Sequence, residues 1–111
     1  MKYDISEVYN AVVVSFKGKL LGGPDAQIFQ DQISSFLEQG KKNIIIDLSD
    51  VKYVDSSGIG NIIKAFSTVK DAGGKLKLSG LSDKIKGVLN IVKLDRIFEQ
   101  FPTVEEASKS F

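Results

Sequence analysis

The run Ile44-Ile45-Ile46-Asp47-Leu48 constrains this chain more than any other stretch. A strand with one face in water alternates apolar and polar residues, so an unbroken apolar run marks a strand covered on both faces, as in a parallel sheet. Asn43 to Leu48 is therefore expected at the centre of the sheet. Parallel neighbours require crossover connections, usually helices, and the flanking sequence supplies them.

Tyr3 and Ile5 alternate with polar residues, a polar turn around Asn10 follows, and Val12 to Phe16 returns as a second strand, which together predict a hairpin. Gly18 to Pro24 reads as a loop. Pro24 and Asp25 open a helix that places Phe29, Ile33, Phe36 and Leu37 on one face and stops at Gly40. A second helix, from about Ser57 to Ala72, carries the stripe Ile59, Ile62, Ile63, Phe66 and Val69 and ends at Gly73-Gly74. Lys75 to Ser79 alternates as a strand near an edge. Ser82 caps a third helix with Ile85, Val88, Leu89 and Val92 as its buried stripe. Lys93 to Arg96 turns the chain into a short strand, Ile97 to Phe101, and Pro102 stops it. Thr103 and Glu106 form a capping box for a last helix that presents Val104, Ala107 and Phe111 to the core. The expected fold is α/β in the order ββαβαβαβα: a mainly parallel five-stranded sheet with an antiparallel first strand and about four helices.

At 111 residues and 42% hydrophobic content the chain is expected to form one domain, residues 1–111, with one site. Fifteen basic and fourteen acidic side chains nearly cancel, which argues against a nucleic-acid or membrane-surface partner and favours another folded protein. Cysteine and histidine are both absent, removing disulfides, thiolate nucleophiles, the usual zinc ligands and the commonest proton-transfer group. The first residues carry charges where a secretory signal needs an apolar run, and no apolar stretch reaches membrane-spanning length, so a soluble cytoplasmic protein is expected.

Between the central strand and the second helix lies Val51-Lys52-Tyr53-Val54-Asp55-Ser56-Ser57-Gly58-Ile59-Gly60. The first turn of a helix leaves N–H groups unpaired and partly positive, so such a joint can display a hydroxyl and later accept a phosphate. Asp55, Ser56 and Ser57 are all helix-capping residue types, and Gly58 and Gly60 allow close approach to the backbone. By spacing alone, Asp55 to Gly58 need be nothing more than a cap. Ser56 is a better substrate than catalyst, because adjacent residues at a helix start seldom aim at each other and no histidine can take its proton.

Other candidate sites are weaker. Asp47 resembles the phospho-accepting aspartate of receiver domains, but the acidic pair that holds magnesium in those domains is missing after the early strands, leaving Asp47 as a structural hydrogen-bond acceptor. Gly22-Gly23-Pro24-Asp25 lacks the lysine and hydroxyl of a P-loop. The lysines, among them Lys52, Lys77, Lys84 and Lys93, are dispersed as on a solvated surface. No metal-binding acids cluster with a phosphate loop, so an enzyme is not expected, nor a bound cofactor or metal.

Taken with their flanks, these residues resemble a known family, the sulfate-transporter and anti-sigma-factor-antagonist (STAS) domains, and particularly the stand-alone antagonists of bacterial anti-sigma factors. The likeness covers almost the entire chain. It is carried by the strand Asn43 to Leu48, the segment Ser49 to Val54, the signature Asp55-Ser56-Ser57-Gly58-Ile59-Gly60, and the turn Lys70-Asp71-Ala72-Gly73-Gly74-Lys75-Leu76. The resemblance implies that Ser56 is phosphorylated by an anti-sigma factor that is also an ATP-dependent serine kinase, and dephosphorylated by a phosphatase of the magnesium- or manganese-dependent PP2C class. Unphosphorylated, such an antagonist binds the anti-sigma factor, which releases its sigma factor and permits transcription.

The resemblance also implies a partner surface made of Asp55, Ser57, Gly58, Ile59 and Gly60 around Ser56, together with Lys19, Leu20, Leu21 and Asp25 from the loop after the second strand. Family members usually place an acidic residue directly after the glycine that follows that strand. This chain has Lys19 there, with Gly22 and Gly23 ahead of Asp25, which leaves open a pathway that does not end at a sigma factor. The alternative is a STAS scaffold or a ligand- or nucleotide-sensing module in which Ser56 is only a cap.

Overall fold

The isoleucine strand is the middle one of five. A computed structural model describes residues 2–8, 10–23 and 25–111, and among them the elements run β1 (Lys2–Val8), β2 (Ala11–Leu20), α1 (Asp25–Glu38), β3 (Asn43–Val54), α2 (Ser56–Asp71), β4 (Lys75–Ser79), α3 (Asp83–Ile91), β5 (Gln100–Phe101) and α4 (Val104–Lys109). The strands lie in sequence order, with β1 antiparallel to β2 and every later pair parallel. This is the α/β architecture with an antiparallel first strand that the sequence pattern predicts.

Both faces of β3 are covered, as the missing alternation requires. Ile44 and Ile46 enter the main core with Val12, Val14, Phe16, Phe29, Ile33, Ile62, Val69 and Leu89, which α1, α2 and α3 close from one side. Ile45 points the other way, into a smaller cluster with Ala11, Val13 and Ala107 that is covered by Val104 of α4 and by Phe111 just beyond that helix. All three isoleucines are fully buried. Tyr3, Phe16 and Phe29 meet edge to face at centroid distances of 5.1 to 6.0 Å, joining the antiparallel edge to α1.

Four expectations are corrected. First, β2 and β3 both run further than Phe16 and Leu48: Lys17 pairs with Asp50, Gly18 with Val51, Lys19 with Tyr53 and Leu20 with Val54, across register shifts between Ser15 and Lys17 and between Gly18 and Lys19. These bulges absorb the polar residues that interrupt the apolar pattern, and strands continue where loops were expected. Second, Val92 is 48% exposed, because α3 ends at Ile91 and Lys93, at φ 61°, turns the chain away. Third, the last strand shrinks to Gln100–Phe101: Phe98 leaves the sheet to pack edge to face on Phe66 at 5.2 Å, while Ile97 stays half exposed. Fourth, Lys77 is not on a solvated surface. It is 3% exposed, its Nζ donating to the Ser110 carbonyl at 3.0 Å and hydroxyl at 2.7 Å, pairing with Glu99 at 3.0 Å and lying 4.5 Å from the Phe111 ring centre.

Other details agree with the sequence reading. Thr103 and Ser82 cap their helices, with Oγ1 accepting from the Glu106 N–H at 3.2 Å and Oγ from the Ile85 N–H at 3.3 Å. Asp47 is a structural acceptor, taking hydrogen bonds from the Ser49 N–H and hydroxyl and from Ser79 Oγ. Pro24, expected to open α1, lies outside the described residues. Among those described, no helix is long and apolar enough to cross a membrane.

Truncating Ile45 to alanine should lower unfolding free energy by about 2–5 kcal/mol, since a buried branched side chain is lost and its cluster has few atoms to refill the space. Urea denaturation checks this, with Ile28→Ser, at a position 61% exposed, expected to stay within about 0.5 kcal/mol of the parent.

Candidate functional site

The joint between β3 and α2 is built by three hydrogen bonds centred on Asp55, one of which reaches the end of β2. The Asp55 N–H donates to the Leu20 carbonyl at 3.3 Å, extending the sheet by one bond beyond β3. Asp55 is extended, at φ −108° and ψ 179°, and its Oδ1 accepts from the Gly58 N–H at 2.7 Å, so it is the N-cap and Ser56 is the first helical residue. The Ile59 N–H then closes the first turn on the Asp55 carbonyl at 3.0 Å.

Glycine is needed twice at this joint. A Cβ on Gly58 would lie 2.0 Å from the Leu20 carbonyl oxygen, and one on Gly22 would lie 2.6 Å from the Ser57 Cβ. Hence Gly58 lets the first turn of α2 sit directly on the β2 backbone, and Gly22 lets the loop after β2 lie against the Ser57 side chain. Asn61 reinforces the contact, its amide reaching the Leu21 carbonyl at 3.4 Å while its own carbonyl accepts from the Gln30 amide at 2.9 Å. Lys19, Leu20 and Leu21 are thereby fixed against Asp55, Ser56, Ser57 and Gly58.

Ser56, Ser57 and Gly60 are exposed on this ledge, and Asp55 and Leu21 are partly so. The close approach foreseen for Gly58 is internal, while Gly60 faces open space. Leu20, Gly58 and Ile59 turn inward, with Leu20 only 1% and Ile59 8% exposed, which corrects the expectation that Leu20 sits in an open loop. These three shape the ledge from behind. Asp25 stands farther along, exposed at the start of α1, and its charge reaches Tyr3, whose phenol pKa is raised by burial first and by Asp25 second.

Two further residues border the ledge. Tyr53 is 46% exposed opposite Lys19, and Lys84 of α3 places its Nζ 5.7 Å from the Tyr53 ring centre. Tyr53 lies within the stretch that the sequence singles out, but nothing in the one-dimensional pattern brings Lys84 to it. Among the described residues no group of three or more acidic side chains is arranged to hold a metal ion. What the site exposes is Ser56, the first residue of α2, while the Gly58 and Ile59 N–H groups are already bonded to Asp55.

Fold and ledge together define a small α/β module that displays a serine at a strand-to-helix joint. The model of the STAS domain family matches residues 2–107, and the chain belongs to that family. It is 31% identical over 96 residues to the anti-sigma-B factor antagonist of Bacillus subtilis, covering 86% of each. A crystal structure of a candidate anti-sigma factor antagonist from Thermotoga maritima matches with a TM-score of 0.83 and 28% identity, over 97% of this chain and 92% of that one. The Bacillus cell fate determinant SpoIIAA, solved in its phosphorylated form, gives a TM-score of 0.76 over 98% of both chains; at 22% identity that likeness is one of fold.

Gly58→Ala should destabilise the protein by several kcal/mol, since a methyl group cannot occupy the space of the Leu20 carbonyl and the helix start must move (about 1–3 kcal/mol is typical for overpacking alone). Gly60→Ala, in open space within the same helix, should stabilise it by roughly 0.5–1 kcal/mol. Thermal unfolding of the two variants side by side separates these outcomes.

Proposed function

We propose that this chain is a phosphorylation-switched antagonist of an anti-sigma factor, with Ser56 as the modified residue. The observation that carries this reading is the exposed Ser56 hydroxyl on the first residue of α2, directly after the Asp55 cap. A kinase can reach an oxygen held at that place without unfolding the domain. The transferred γ-phosphoryl group of ATP would then sit at a helix N-terminus, where N–H donors and the helix dipole favour an anion. That a protein of the same fold has been solved in a phosphorylated form supports this.

The switch acts on binding and leaves the fold alone. In the bare state the partner, an anti-sigma factor with serine kinase activity, packs on the ledge formed by Ser56, Ser57 and Gly60 with Lys19 and Leu21 beside it. A phosphate brings close to two negative charges at neutral pH. Packed against the same surface, that anion must lose water or clash, and a loss of about 2.7 kcal/mol already lowers affinity a hundredfold. Asp55, bonded to the Gly58 N–H, adds to the local negative charge. A PP2C-type phosphatase restores the bare serine, and the chain itself catalyses nothing.

Incubation with the cognate kinase and ATP should add one phosphate, located on Ser56 by peptide mass spectrometry and absent from Ser56→Ala. Ser56→Asp should bind the partner at least about a hundredfold more weakly by calorimetry while unfolding within a few degrees of the parent. Phosphate on another residue alone, or equal binding by Ser56→Asp, would sink the reading and leave Ser56 as a cap on a scaffold or ligand-sensing module.

A further inference from the structure

Beside the ledge, the penultimate residues of β2 and β3, Lys19 and Tyr53, stand directly opposite each other. Directly paired residues of neighbouring strands project from one face of the sheet, so the lysine and the phenol ring stand together. Lys84, from the first turn of α3, comes over the same ring with its Nζ 5.7 Å from the centre, within cation–π range. All three side chains are exposed. The salt bridges formed among the described residues engage Lys17, Lys41, Lys77 and Lys109, and they leave Lys19 and Lys84 out. One ammonium group thus lies over the exposed Tyr53 ring, a second lysine is paired with Tyr53 across the strands, and among the described residues no salt bridge engages either.

An exposed tyrosine edged by cations has the composition of a binding hot spot for an acidic surface. Its position relative to the serine follows from the backbone: the Asp55 N–H donates to the Leu20 carbonyl, so Lys19 precedes the acceptor by one residue and Ser56 follows the donor by one. We propose that Lys19, Tyr53 and Lys84 form an anion-receiving contact that takes carboxylates of the partner protein when Ser56 is bare and is occupied by the phosphate when Ser56 is modified. The second half rests on the reading of Ser56 as the modified residue. The phosphate then acts by taking over the cations that the partner's acids need, in addition to its bulk.

The test uses the full chain with phosphoserine incorporated at position 56 during translation, so no kinase is required. In a phosphorus NMR titration the phosphate should ionise below the ordinary value of about 6, and Lys19→Gln and Lys84→Gln should each raise it by roughly a quarter to half a pH unit. For the unmodified chain the probe is a hexaglutamate peptide at low salt, followed by amide chemical shifts. The changes should gather around residues 19, 53 and 84, weaken at least tenfold in Lys19→Glu and Tyr53→Ala, and vanish when position 56 carries the phosphate. Identical phosphate titration in the parent and both glutamine variants, or peptide-induced shifts spread evenly over all the lysines, would overturn the proposal. A kinase that ignores Ser56 would remove the switch yet leave this contact intact, so the two readings fail separately.

Discussion

The structure depends on a contact that leaves no room for a side chain, the Leu20 carbonyl against Gly58. It ties the end of β2 to the first turn of α2, and the Asp55 N–H bond to the same carbonyl makes that oxygen the meeting point of strand, cap and helix. Backbone held by backbone is stiffer than backbone held by side chains, because no rotamer can relax the geometry. The Asp55 carboxylate completes the joint by occupying the Gly58 N–H. Ser56 and its neighbours are consequently presented at a fixed height and angle.

The two faces of the sheet divide the labour. Three helices close a large core on one side, while the short α4 covers only part of the other, over Ala11, Val13 and Ile45. Lys77 anchors that cover from within the sheet by bonding to Ser110 and lying near Phe101 and Phe111. A buried ammonium is tolerable because donors and charge are all met: two oxygens of Ser110, the Glu99 carboxylate and two ring faces. Beyond that cover, Lys19 and Tyr53 pair near the ends of β2 and β3 and are exposed.

Legibility in the sequence followed how local each feature was. Helix caps at Asp55, Ser82 and Thr103 involve residues three apart, and the letters show them. Burial of Ile44 to Ile46 follows from the missing alternation. The continuation of β2 and β3 was hidden, since bulges shift the register where Gly18, Ser49 and Lys52 break the pattern, and a bulge is a property of the pair of strands. Val92 and Ile97 misled for the opposite reason: they fit an apolar period but fall beyond the helix or before the strand that would bury them.

What the sequence determined by itself was the alternation of strands and helices, the central place of the isoleucine strand, and the serine after a capping aspartate that marks a STAS domain. Periodicity and capping act over a few residues, so neighbours along the chain suffice to specify them. Tertiary structure alone decided that Leu20 faces inward, that Lys77 is buried, and that Lys84 crosses to Tyr53 beside Lys19. Those outcomes depend on which distant segments the sheet order brings together, and no local rule carries that information.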